Sequence, residues 1–246
     1  MMCRRVYTRG LAFFAAFASL VASSVLFSSA QAGSLATTSR ALNDGLGPDL
    51  GVWRGAANIS VPPVFPPSFN DEVTAVVSWA AFAPGDFQLY LNDEGIAAVD
   101  PSAPLEVVYA YQIDSVSAVS PGISTLTVGV DSTDGRGSVL APSFVPAGGA
   151  TEVAPTGGGD GVTQMQWFFG SLLQVGDTTG ILVFSSPFAP ELGNLQVSSG
   201  VASPVPSPQV ATISDRIFEH NIPEPSAIAL LLIGAIGPLV FSRRSN

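Results

Sequence analysis

The sequence predicts an all-β protein: an antiparallel β-sandwich with a signal helix before it and a transmembrane helix after it. Three observations lead there. Charged residues make up only 11% of the chain, while glycine occurs 25 times and proline 20 times, a composition of many turns and few helices. Between residues 48 and 200, short runs of alternating apolar and polar residues are separated by Gly, Pro, Asn and Asp. The two ends instead carry uncharged apolar runs, Leu11 to Phe27 and Ala227 to Phe241.

The N-terminal run follows Arg4, Arg5 and Arg9 and ends at the small-x-small site Ala30-Gln31-Ala32. A basic start, an apolar middle and such a cleavage site form a secretory signal peptide over residues 1–32, cut after Ala32. Cys3, the single cysteine, precedes the apolar run and is not placed to carry a lipid. Residues 33–47 are small and polar and predict a flexible lead.

The sandwich is expected over residues 48–200. Leu50 to Ile59 predicts a first strand around Trp53, and the prolines at 62, 63, 66 and 67 predict a surface loop. Glu72 to Phe82 is the best strand, with Val73, Ala75, Val77 and Trp79 on one face and Thr74 and Ser78 on the other. Pro84-Gly85-Asp86 predicts a turn and Phe87 to Leu91 a returning strand, making a hairpin. Leu105 to Ile113 and Ile123 to Val130 alternate similarly, and Ser138 to Val145 is a further strand candidate. Pro146 to Gly161, rich in Gly, Ala and Pro, predicts a flexible loop. Gln164 to Phe169, Thr179 to Ser185, Leu195 to Ser199 and Gln209 to Ile213 complete the strands. Residues 201–221, with Pro204, Pro206 and Pro208, predict a semi-extended linker of about 3.1 Å per residue.

Composition excludes several chemistries. Between residues 33 and 222 four arginines face 18 acidic residues, about −14, and the chain has no lysine. Nucleic acid needs clustered cations, so it is not an expected partner. His220 is the only histidine and lies in the linker, which argues against triads and histidine-based zinc sites. No glycine-rich phosphate loop with a following lysine is present. Carboxylate pairs stay open, because acids are plentiful. No cofactor is expected, with calcium the one exception worth weighing. Asp131-Ser132-Thr133-Asp134-Gly135 and Asn92-Asp93-Glu94-Gly95 gather oxygen ligands, Asp131 and Asp134 being the metal candidates, although neither turn has EF-hand spacing. Gly157 to Gly161 resembles one repeat of a calcium-binding β-roll. Turn formation accounts for the same residues. Trp53, Trp79 and Trp167 could stack on sugars or fill the core, and alternation already puts Trp79 with the core.

The C-terminus reads Ile222-Pro223-Glu224-Pro225-Ser226, then Ala227 to Phe241, then Arg243-Arg244. Ser226 to Ser242 holds no charge; as a helix it would be about 26 Å long, against a hydrocarbon core of ~30 Å. Arg243 and Arg244 form a cytoplasmic stop-transfer pair. Pro223 and Pro225 hold the approach extended. Pro-Glu-Pro, apolar helix and basic end, in that order over residues 222–246, resemble the PEP-CTERM sorting signal. The resemblance implies that an exosortase recognises Pro223, Glu224 and Pro225 and removes the helix during export. The body is similar to β-rich ectodomains that precede such signals, around Val108-Tyr109-Ala110-Tyr111-Gln112 and Phe184-Ser185-Ser186-Pro187. The expected protein is exported and non-enzymatic, placed at the cell surface or in the extracellular matrix. Its expected partners are the secretion translocon, the exosortase, the membrane through the tail helix, and extracellular polysaccharide. The alternative is a carbohydrate- or calcium-binding adhesion module; a carboxylate-based hydrolase is a third reading.

Overall fold

The computed structural model describes residues 34–61, 73–119, 122–130, 142–161, 164–199 and 205–218. A short 3-10 turn, Leu35–Thr37, opens the chain. The strands that follow are β1 (Asn43–Gly47), β2 (Gly51–Val52), β3 (Arg54–Val61) and β4 (Val73–Phe82). Helix α1 (Asp86–Asp93) comes next, then β5 (Val107–Val119), β6 (Ile123–Gly129), β7 (Ser143–Val145), β8 (Glu152–Val153) and β9 (Gly157–Gly161). The last are β10 (Gln164–Leu173), β11 (Thr178–Thr179), β12 (Ile181–Ser186), β13 (Phe188–Ser199) and β14 (Val205–Ile217).

The all-β expectation holds. One five-stranded sheet has the order β3-β4-β5-β12-β7, and a second has the order β14-β13-β6-β10-β9. Every pairing within them is antiparallel; β1 and β2 form a small antiparallel ribbon, and β8 and β11 a short parallel pair.

The inner faces of the two sheets share one core. Val73, Ala75, Val77, Trp79 and Ala81 of β4 point into it, as their alternation predicts. Opposite them stand Leu126 and Val128 of β6 and Met165, Trp167 and Phe169 of β10. Four rings knit the middle: Tyr109 stacks on Phe184 at 4.8 Å between ring centres, and Tyr111 meets Trp167 at 5.8 Å. Each buried polar tip of these rings finds a carbonyl on the facing sheet, as burial requires. Tyr109 donates to the Phe188 carbonyl at 2.8 Å, Tyr111 to that of Ala211, and Trp167 Nε1 to that of Ser143 at 2.9 Å.

A second apolar layer covers the outside of the first sheet. Phe87, Tyr90 and Leu91 of α1 and Leu35 from the N-terminal turn bury Ala80, Phe82, Val108, Ala110, Ile181 and Val183. Strands β5 and β12 are therefore covered on both faces, which explains the uninterrupted apolar run Ile181 to Phe184.

Four expectations are corrected. Phe87 to Leu91 is helix, not a returning strand: Gly85 takes a left-handed φ of 86° that turns the chain, and Phe87 and Tyr90 close on Phe82, each ring 5.2 Å from it. The lead at 33–47 is docked from Ser34 onward rather than flexible. Leu35 is fully buried, Leu42 N–H donates to the Ala81 carbonyl at 2.7 Å, and Arg54 holds the Thr38 carbonyl at 2.5 Å. The linker at 201–221 is strand from Val205 to Ile217; Pro206 opposite Gln196 is tolerated because β14 is a sheet edge, where a missing N–H costs nothing. Within the predicted flexible loop 146–161, β8 pairs with β11 and β9 with β10. Among the described residues no helix is long and apolar enough to cross a membrane. The predicted signal and tail helices lie outside them.

Candidate functional site

The sorting residues Pro223, Glu224 and Pro225, the basic pair Arg243 and Arg244, the cleavage-site residues Ala30 and Ala32, His220, and the calcium candidates Asp131 and Asp134 all lie outside the described residues. The second acidic turn, Asn92 to Gly95, caps the end of α1, and Asp93 there pairs with Arg40 at 2.7 Å. Among the described residues no three His, Cys, Asp or Glu side chains gather as a metal-ligand group. Gly157 to Gly161 is an edge strand laid along β10. Trp53, Trp79 and Trp167 are all core residues, so none of them presents a sugar-stacking face.

One carboxylate stands apart. Asp114 occupies a β-bulge in β5, where the register against β4 slips between Val76 and Val77. A bulge re-aims the side chain it carries. Here the Ser78 hydroxyl donates to one Asp114 oxygen at 3.0 Å and the Ser34 hydroxyl to the other at 3.4 Å. Burial raises its pKa above the ordinary carboxylate value, and the two hydroxyls pull it partly back. Nearby on the same strand, Gln112 donates its amide to the Thr179 carbonyl at 3.1 Å, while its buried Oε1 has no partner. The cluster ties the N-terminal turn to the first sheet.

An open groove of about 490 Å³ runs beside β1 and the β13–β14 pair, lined by Leu46, Trp53, Pro190, Glu191, Leu192, Ser214 and Arg216.

The outer face of the second sheet carries uncharged polar rows around one exposed ring. Alternation along β10 sends Met165, Trp167 and Phe169 inward and Gln164, Gln166 and Phe168 outward. Register aligns these in rows. Gln166 stands opposite Thr127 of β6, which stands opposite Gln196 of β13; Phe168, Thr125 and Ser198 form the next row. On the other side of Phe168 and Gln166 are Gly157 and Gly159 of β9. A methyl group placed on Gly159 would sit 3.6 Å from the Phe168 ring, so the ring lies over this glycine strand. Phe168 is 42% exposed, whereas Trp167 beside it is 1% exposed. Sequence reading put the aromatic interest on Trp167 and missed Phe168; the alternation Gln-Met-Gln-Trp-Phe-Phe is the signal that separates them.

No family model, no curated protein and no solved structure matches this chain.

Proposed function

We propose that this is an exported cell-surface or extracellular-matrix protein, processed by an exosortase through its C-terminal signal and without catalytic activity of its own. The observation that carries the reading is the order of features at the C-terminus: Pro223-Glu224-Pro225, a charge-free apolar run, then Arg243-Arg244. An independent export pattern at the other end, with Ala30 and Ala32 at the cut, supports it. A chain free of lysine, with its only histidine at 220 and its only cysteine at 3 before the body, is poor in nucleophiles and proton shuttles. In this reading the β-sandwich is cargo, the tail helix is a temporary anchor, and the translocon and exosortase are successive handlers.

The test is Glu224→Ala in the producing cell. The variant should accumulate as a membrane-retained form with an intact C-terminus, while the parent loses its tail. An unchanged C-terminal mass and location in the variant refutes recognition of the tripeptide.

A further inference from the structure

We propose that the outer face of the second sheet binds a neutral polysaccharide chain. The proposal names a partner for the surface-protein reading, yet it stands on the face alone and does not need tail processing to be right.

The face combines three properties. It is uncharged: the rows through Gln164, Gln166 and Phe168 and their cross-strand neighbours contain no Asp, Glu or Arg, on a protein whose formal net charge is −10. Acidic polymers are repelled by the surrounding field, and a neutral chain is not. It carries one exposed ring, Phe168, supported from beneath by Gly159. A phenyl ring laid on a sheet offers apolar area to the C–H face of a sugar. And it carries free amides. Gln164, Gln166, Asn194 and Gln196 make no side-chain hydrogen bond among the described residues, and each amide offers both donor and acceptor to neighbouring sugar hydroxyls.

The rows cross four strands, β13, β6, β10 and β9, a span of about 14 Å that suits an extended chain. A protein partner is anchored on several large apolar side chains, and here Phe168, with Leu192 farther along β13, stands among amides and hydroxyls. An extended glycan satisfies both the ring and the rows of amides.

The test uses the full chain in detergent, run on native affinity gels containing hydroxyethylcellulose, a soluble β-1,3-glucan or dextran, with alginate as the acidic comparison. At least one neutral glycan should retard the protein and alginate should not. Phe168→Ala should weaken binding about tenfold, the loss expected from exposing part of one phenyl ring. Phe168→Tyr should bind like the parent. The double variant Gln166→Ala/Gln196→Ala, which leaves the ring in place, should also weaken binding, and thermal melts should show all variants folded. No retardation by any neutral glycan overturns the proposal, as does equal binding by the parent and both weakened variants. Retardation by alginate equal to that by the neutral glycans overturns it too. A concentration-dependent dimer lost in Phe168→Ala would give the face to a second copy instead. None of these outcomes bears on Glu224, so failure here and failure of the sorting reading are separable.

Discussion

Replacing Tyr111 by Phe removes one oxygen and tests what holds the two sheets in register. The Tyr111 hydroxyl donates to the Ala211 carbonyl on β14, across the core, and both residues are almost completely buried. The ring itself stays: its contacts with Trp167 at 5.8 Å and Phe184 at 6.0 Å do not use the hydroxyl. The loss is therefore that of a buried hydrogen bond, with an acceptor left behind that water does not reach. Such a change costs about 1–3 kcal/mol. At about 2–4 °C per kcal/mol for a chain of this size, Tm should fall by roughly 2–12 °C. Urea unfolding followed by tryptophan fluorescence is suited to the measurement, because Trp53, Trp79 and Trp167 are all buried. The midpoint should move to lower urea with an unchanged slope, showing lost stability rather than an altered denatured state. Tyr109→Phe makes the parallel change at the Phe188 carbonyl. The two hydroxyls use different carbonyls and both rings remain, so the double variant should be additive within about 0.5 kcal/mol. A Tyr111→Phe midpoint within about 0.5 kcal/mol of the parent refutes the claim that this hydroxyl ties the sheets together.

Three further outcomes follow from the same packing. Burial raises the pKa of Tyr90, Tyr109 and Tyr111, so above about pH 10 the unfolded chain releases protons that the folded one retains; stability should fall steeply there, read as a lower Tm at pH 10–11 than at pH 8. Leu35→Ala should cost about 2–5 kcal/mol by thermal melt, whereas a loose lead would lose nothing measurable. Asp114 has a raised folded-state pKa, so its contribution falls as pH rises from about 4; Asp114→Asn should flatten that part of the stability profile and be at least as stable as the parent at pH 7.

Sequence pattern exposed the strands whose two faces differ. The first half of β4, Val73 to Val77, alternates because one face meets the core and the other is half-buried, whereas β5 opens with seven buried residues in a row. It misread Phe87 to Leu91 because five residues are too few to separate the periods: Phe87, Leu89 and Leu91 fit a strand, and Phe87, Tyr90 and Leu91 fit a helix turn. The decision lies in Phe82, which gives a helical face something to cover. β9 was invisible for a different reason. Gly157, Gly158 and Gly159 have no side chains to alternate, and the strand exists through its backbone pairing with β10. Pro206 and Pro208 misled because the same residues that break a central strand suit an edge. Of the candidate site, the inward half of β10 was legible as hydrophobic pattern. The rows on its outward half were not, since they require knowing that β6 and β13 lie alongside.

The strand that completes the second sheet is also the last of the described strands, and it lies against β3, among the first. That order gives folding a clock. A chain made from its N-terminus can form the β3–β4 and β4–β5 pairs early. Its outer edge stays open until residues 205–217 have emerged. The strand's far end is fastened by the Phe218 N–H on the Pro187 carbonyl at 2.8 Å. The seam between β14 and β3 therefore joins the end of the described chain to its beginning, and it closes after the other described strands are in place.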